Sequence, residues 1–247
     1  MSRVAIVAGT STQRPQRTLP STWNPLSVKS QTNVSWFNAD TGSVSSWTDQ
    51  GPNVRHLLQA TGNKQPTIAA NQVNGKQVYQ FASAQFMQTA AFTAIATDIE
   101  VMMVAKFTDA PGSFNWLLDG SANTTLTLRR NTGGDPTVIY GGAGSMPTFP
   151  TNLGTQAFHL YHFLAGRAAN AVNSFLKQDN LLNVTGYSAQ PNTSITKFTV
   201  AIAADGVSLP ANCQIRNIFI SAGALNSADR ADLINYFSAD AGLGLAA

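Results

Sequence analysis

Charge is scarce in this chain. Asp, Glu, Lys and Arg together make up 11% of its 247 residues, against about a quarter in an average soluble protein. The polar surface must therefore be built from Asn, Gln, Ser and Thr, a composition frequent on extracellular β-proteins and on virion proteins. Cysteine occurs once, as Cys213, which excludes an intrachain disulfide and the cysteine-rich zinc patterns. The fold must stand on its core, and the length allows one large β-domain. No apolar run approaches the roughly 18 residues of a spanning helix. The early run VAIVA is shorter than the roughly 7–15 residues of an export signal. The chain is therefore read as soluble and not exported through a signal of its own.

Glutamate also occurs once, as Glu100. Glycan hydrolysis by the common route needs two carboxylates facing each other across the bond. No second glutamate exists to pair with Glu100, and no two aspartates share a strand face at i, i+2 spacing. The expectation is that the chain is not an enzyme. His159 and His162, three apart in FHLYHF, would point to opposite faces of a strand and share no metal. His56 is isolated. The glycine-rich GGAGS (141–145) has neither the Lys-Ser/Thr of a phosphate loop nor a nucleophile elbow. No cofactor is expected, and Cys213 reads as a small buried residue.

What charge there is lies unevenly. The formal net charge is +3 and the isoelectric point about 9.2. Residues 1–33 hold Arg3, Arg14, Arg17 and Lys29 and no acid. The remainder carries 11 basic and 12 acidic residues and sums to −1. Pro15, Pro20 and Pro25 exclude a long helix there and disfavour a central strand. This segment reads as an extended basic arm, with Trp23 as a further anchor, suited to docking on a partner surface. Four positive charges and one aromatic are too few to argue for nucleic acid.

From residue 34 onward, short apolar or alternating runs are separated by polar turns. The candidates are NVSWFNAD, GKQVYQFA, IEVMMVAKF, FNWLLDG, TLTLRR, PTVIYGG, FHLYHFLAG, NSFLKQD, ITKFTVAIA and QIRNIFISAG. IEVMMVAKF (99–107) is continuously apolar, as a strand covered on both faces would be. TLTLRR and PTVIYGG flank a five-residue hairpin link, Asn131–Asp135. The end differs. Asn226 is a helix N-cap with Asp229 and Asp232 in the first turn, Leu233, Ile234 and Phe237 form an apolar stripe, and Gly242 stops the helix.

In order and spacing, several blocks resemble the LamG-like, concanavalin A-like lectin/glucanase jelly rolls of bacteriophage virion proteins. They are WFNADTGSVSSWTDQGPNVRHLLQATGNKQPTI, NGKQVYQFASAQFMQT, VMMVAKF and IRNIFISAGALNSADRADLINYFSADAGL. Together they span residues 34–243. The chain departs from that pattern at Gly51-Pro52-Asn53, where the family has Ser-Gly-Asn, at FLKQDN, and at NCQIRN, which lacks an acid. The resemblance implies an all-β jelly-roll β-sandwich over 34–247 with one short C-terminal helix, preceded by the arm 1–33. Within it the Trp-x-Asp stretch SSWTDQGPN would end a strand. Trp47 would pack at the core edge, and Asp49 would cap a turn through backbone N–H groups.

The function implied is a structural protein on the virion surface, in a capsid decoration or tail role, fastened by its arm to other virion proteins and oligomeric in the particle. The alternative is a carbohydrate-binding module for host surface glycans. Arg129 and Arg130, with Tyr140 on the paired strand, are the candidate cation–aromatic face for an anionic glycan.

Overall fold

The computed structural model describes residues 34–110, 114–122, 125–131, 133, 136–140, 144–145, 156–167, 173–185 and 194–245. The arm 1–33, and with it Arg3, Arg14, Arg17, Trp23 and Lys29, lies outside the described residues.

The strands, in chain order, are β1 (Val34–Ser43), β2 (Ser46–Asp49), β3 (Leu57–Leu58), β4 (Thr67–Val73), β5 (Lys76–Phe81), β6 (Met87–Thr89), β7 (Ile99–Phe107), β8 (Asn115–Asp119), β9 (Leu126–Arg130), β10 (Pro136–Tyr140), β11 (Gly144–Ser145), β12 (His159–Ala165), β13 (Phe175–Gln178), β14 (Leu181–Thr185), β15 (Thr199–Val200) and β16 (Cys213–Ala222). One helix, α1 (Ser227–Ala241), follows. The main antiparallel path runs β11-β10-β9-β8-β15-β6-β3-β2-β1-β16-β7-β12-β13-β14, with β5 joined to β16 and β4 to β5. This single ladder curls over itself. The layer centred on β1, β16, β7 and β12 faces the layer made by β2, β3, β6, β15, β8 and β9, and the fold is a β-sandwich.

The period-2 alternation of the strands sorts side chains between two cores. Ile99, Val101, Met103, Ala105 and Phe107 of β7 enter the sandwich, with Phe37, Trp47, Leu118, Leu128, Phe163 and Ile218. Met102 and Val104 point the other way, where Trp36, Leu160 and Phe219 meet Leu233, Ile234 and Phe237 of α1. The continuous apolar run of 99–107 is thus explained: the sheet lies on one side of it and the helix on the other. On β16 a bulge between Ile215 and Asn217 shifts the phase. Ile215 and Ile218 both face the sandwich as a result, and Arg216 and Asn217 both turn toward α1.

The helix signals hold. The Asn226 side chain accepts from the Asp229 N–H at 2.8 Å, and Gly242 ends the helix at φ 66°. Asp232, placed in the first turn by the sequence, lies beyond it; the helix begins at Ser227 and only Asp229 falls within that turn. ITKFTVAIA is a second correction. It yields the two-residue β15 and a bridge from Ile195 to Ile95, because Ala201 adopts φ 67° and takes the chain off the ladder. The hairpin is as expected, with Arg130 opposite Pro136 and Leu126 opposite Tyr140.

Candidate functional site

The stretch SSWTDQGPNVRHL builds one wall of a cleft. Its strand end is anchored by Trp47, fully buried, stacked on Tyr79 with centroids 4.2 Å apart, its indole N–H donating to the Asn38 carbonyl. Asp49 then turns the chain. Its Oδ1 accepts from the N–H of Trp36 (2.7 Å) and of Gly51 (2.8 Å), and its Oδ2 from the N–H of Arg55 (2.9 Å). The capping role read from the sequence is therefore the one Asp49 performs. Gly51 is required here, since a Cβ would lie 2.2 Å from the Val34 carbonyl oxygen. Asn53 donates to that same carbonyl.

Beyond the turn the loop is held in an unusual conformation. Val54 has φ 53° and is 63% exposed; a β-branched residue pays a steric penalty for this geometry unless its surroundings impose it. The imposing contact is the bond from the Arg55 N–H to Asp49. Arg55 is consequently laid across Phe92, its guanidinium carbon 4.3 Å from the ring centroid. Phe92 belongs to the segment joining β6 to β7, which is fixed by its N–H to the Thr196 carbonyl, the Ile95–Ile195 bridge and packing on Phe198 at 5.0 Å. Between the two walls lies a cleft of about 570 Å³, lined by Asn53, Arg55, Phe92, Thr93, Thr97 and small alanines. Partial burial lowers the Arg55 pKa from its ordinary value, an effect opposed by the charge of Asp49. A cation on an aromatic face, beside an amide and hydroxyls, is a surface suited to sugar recognition.

The face proposed from Arg129, Arg130 and Tyr140 is not assembled as the sequence suggested. Adjacent strand residues point to opposite faces. Arg130 is fully buried on the sandwich side, over Phe107 at 4.4 Å and paired to Asp109 at 2.7 Å. It is a core ion pair and is closed to a ligand. Arg129 faces outward over Phe114 at 4.5 Å. The Tyr140 side chain lies outside the described residues. The two histidines diverge as predicted: His159 bonds Asp179 and His162 bonds Glu100. Glu100 is itself fully buried and also holds Arg230 and the Leu225 N–H. Among the described residues no cluster of three His, Cys, Asp or Glu could hold a metal, and no helix is long and apolar enough to cross a membrane.

Sequence reasoning took Asp49 as the point of interest in this stretch and missed Arg55 and Phe92. The available signal was Arg55 in a loop whose one acid is already committed, and a lone aromatic in the small-residue run TAAFTAIAT.

No family model matches the chain, and no curated protein matches it. Solved structures do. Trypanosoma rangeli sialidase in complex with sialic acid superposes with a TM-score of 0.60 at 12% identity, covering 83% of this chain and 33% of the sialidase. The receptor binding domain of botulinum neurotoxin C/D mosaic serotype gives 0.62 at 9%, covering 83% and 51%. The binding domain of botulinum neurotoxin DC in complex with SialylT gives 0.55 at 9%, covering 82% and 50%. The chain thus spans about a third of the sialidase and half of the neurotoxin chains. What is shared at these identities is the β-sandwich. The narrower likeness to phage virion proteins rests on the sequence blocks alone.

One expectation is overturned. The single glutamate led to the view that the chain is not an enzyme, yet the fold recurs within sialidases, which are enzymes. The two-carboxylate test was too narrow, because sialidases depart from that scheme by using a tyrosine nucleophile.

Proposed function

We propose that the chain is a carbohydrate-binding β-sandwich module, and that the cleft between the Asp49–Arg55 turn and the Phe92–Thr97 segment receives the sugar. The observation that carries this reading is Arg55 lying on Phe92 in the lining of the cleft. Support comes from the fold's occurrence in proteins crystallised with sialic acid and with SialylT. Phe92 fixes the Arg55 guanidinium over its ring, and the neighbouring amide and hydroxyls supply directional bonds.

A glycan array followed by titration calorimetry tests the reading. The full chain is expected to bind at least one saccharide with a dissociation constant of about 1 mM or tighter. Phe92→Ala is expected to abolish that binding while the thermal melt persists. A chain that binds no saccharide on the array, or a Phe92→Ala variant that binds as the parent does, overturns it.

The finer placement, a domain carried on a bacteriophage particle and fastened by residues 1–33, is favoured by the ordered sequence blocks and the acid-free arm. Immunogold labelling of purified particles tests it: labelled capsids or tails support it, and unlabelled particles remove it.

A further inference from the structure

The way the arginines are used narrows the ligand. Arg130 is paired to Asp109, Arg216 to Asp40 and Asp240, and Arg230 to Glu100. Arg55 is different. Among the described residues its guanidinium makes no ion pair and no hydrogen bond, although it is half-buried. The acid whose field it feels, Asp49, has both oxygens occupied by the N–H groups of Trp36, Gly51 and Arg55 itself. Asp98, beside Thr97 on the opposite wall, has Oδ1 engaged by the Arg167 N–H. A guanidinium held over a ring face keeps N–H donors in the fork that matches a carboxylate.

We propose that the cleft selects acidic saccharides, with Arg55 receiving the anionic group of the sugar as a bidentate partner and Phe92 holding the guanidinium in place. This deepens the glycan-binding reading and rests on it. A neutral sugar would leave the guanidinium desolvated and unpaired, whereas an anion replaces the water that Arg55 gives up. Selectivity then comes from the unpaired cation as much as from the new contact. Carboxylated and sulfated sugars both supply such an anion.

The test compares four probes on the full chain by titration calorimetry: a sialylated oligosaccharide, the methyl ester of its carboxylate, its desialylated form, and a sulfated analogue. The sialylated probe is expected to bind about tenfold or more tightly than its ester. Its affinity is expected to weaken as salt is raised. Arg55→Ala is expected to remove this preference, and Arg55→Lys to restore part of it, since lysine keeps the charge but not the fork. Both variants are checked by circular dichroism, and the ester comparison needs no variant. A sulfated analogue that binds alongside the sialylated probe identifies the recognised feature as any sugar-borne anion. A sulfated analogue that fails identifies it as a carboxylate. Equal binding of acid and ester, or a preference that survives Arg55→Ala, overturns acidic selectivity while leaving the glycan reading standing. Failure of all four probes, together with a blank array, removes the glycan reading itself.

Discussion

A single carboxylate can hold three chain segments if each of its lone pairs meets a backbone donor. Asp49 does this for β1, for the turn at Gly51 and for the loop at Arg55. Replacing it leaves three N–H groups near the protein interior without acceptors. Bonds to a charged acceptor contribute about 1.5–3 kcal/mol each and are not additive. Asp49→Ala is therefore expected to lose about 3 kcal/mol, read as a fall of about 6–12 °C in Tm. It is also expected to release Val54 from positive φ and to weaken any ligand held by Arg55. A melt within about 2 °C of the parent would refute this account. Trp47 and Asp49 were legible in the sequence because turn chemistry is local: a Trp-x-Asp followed by Gly-Pro-Asn carries its own explanation. Arg55 and Phe92 were not. Nothing near either residue specifies the other, and only the closure of the sheet brings their two loops together.

At the scale of elements, α1 is fastened to the sheet by apolar packing and by two buried ionic groups. Arg216, fully buried, joins Asp40 of β1 to Asp240 near the end of the helix. Burial disfavours its charge, but the bonds to both aspartates outweigh that effect and hold its pKa above the ordinary value. At the other end Glu100 of β7 accepts from Arg230 of α1, from the Leu225 N–H and from His162 of β12 at 2.7 Å. The Nδ1 of His162 is buried with no partner. Burial, together with the positive charges of Arg230 and Lys177, depresses the His162 pKa; the bond to Glu100 opposes this without reversing it. The folded protein therefore keeps His162 neutral, and the unfolded chain takes up a proton near the ordinary histidine value of 6.5. The sign follows. This contribution is fully present above pH 6.5 and is lost as pH falls below it, with a slope of at most about 1.4 kcal/mol per pH unit. For Glu100, burial raises the pKa but the bonds from Arg230 and His162 outweigh it and leave the pKa lowered, which adds a second loss at more acidic pH, below the ordinary value of 4.5. Denaturant unfolding between pH 8 and pH 5 should show the decline, and His162→Gln should flatten it. An unchanged slope in that variant would place the titration elsewhere. The helix and β7 were legible in advance, because their patterns are long and periodic. The two-residue β3 was not legible, nor was β14, nor β4, whose run Ala-Ala-Asn-Gln carries no strand signal.

At the scale of the whole molecule, the fold is shared with proteins at 9–12% identity. Such persistence follows from what fixes a sandwich. Alternation assigns faces and a few bulges set the phase, while cores tolerate many apolar choices if volume is kept. Among the described residues, the two cores draw on side chains from Val34 to Leu245. The sheet is closed by the pairing of β1 with β16, in which Val34 lies opposite Ser221. Deleting residues 1–33 removes four positive charges and no acid, changing the formal net charge from +3 to −1. The shortened chain keeps the described members of both cores and the β1–β16 pairing, and it is expected to unfold in one cooperative transition within about 3 °C of the full chain, a loss of about 1 kcal/mol or less. Scanning calorimetry of the two chains decides this. If the shortened chain were insoluble or melted much lower, part of the arm would belong to the β-domain, and the boundary at residue 33 would have to move toward the N-terminus.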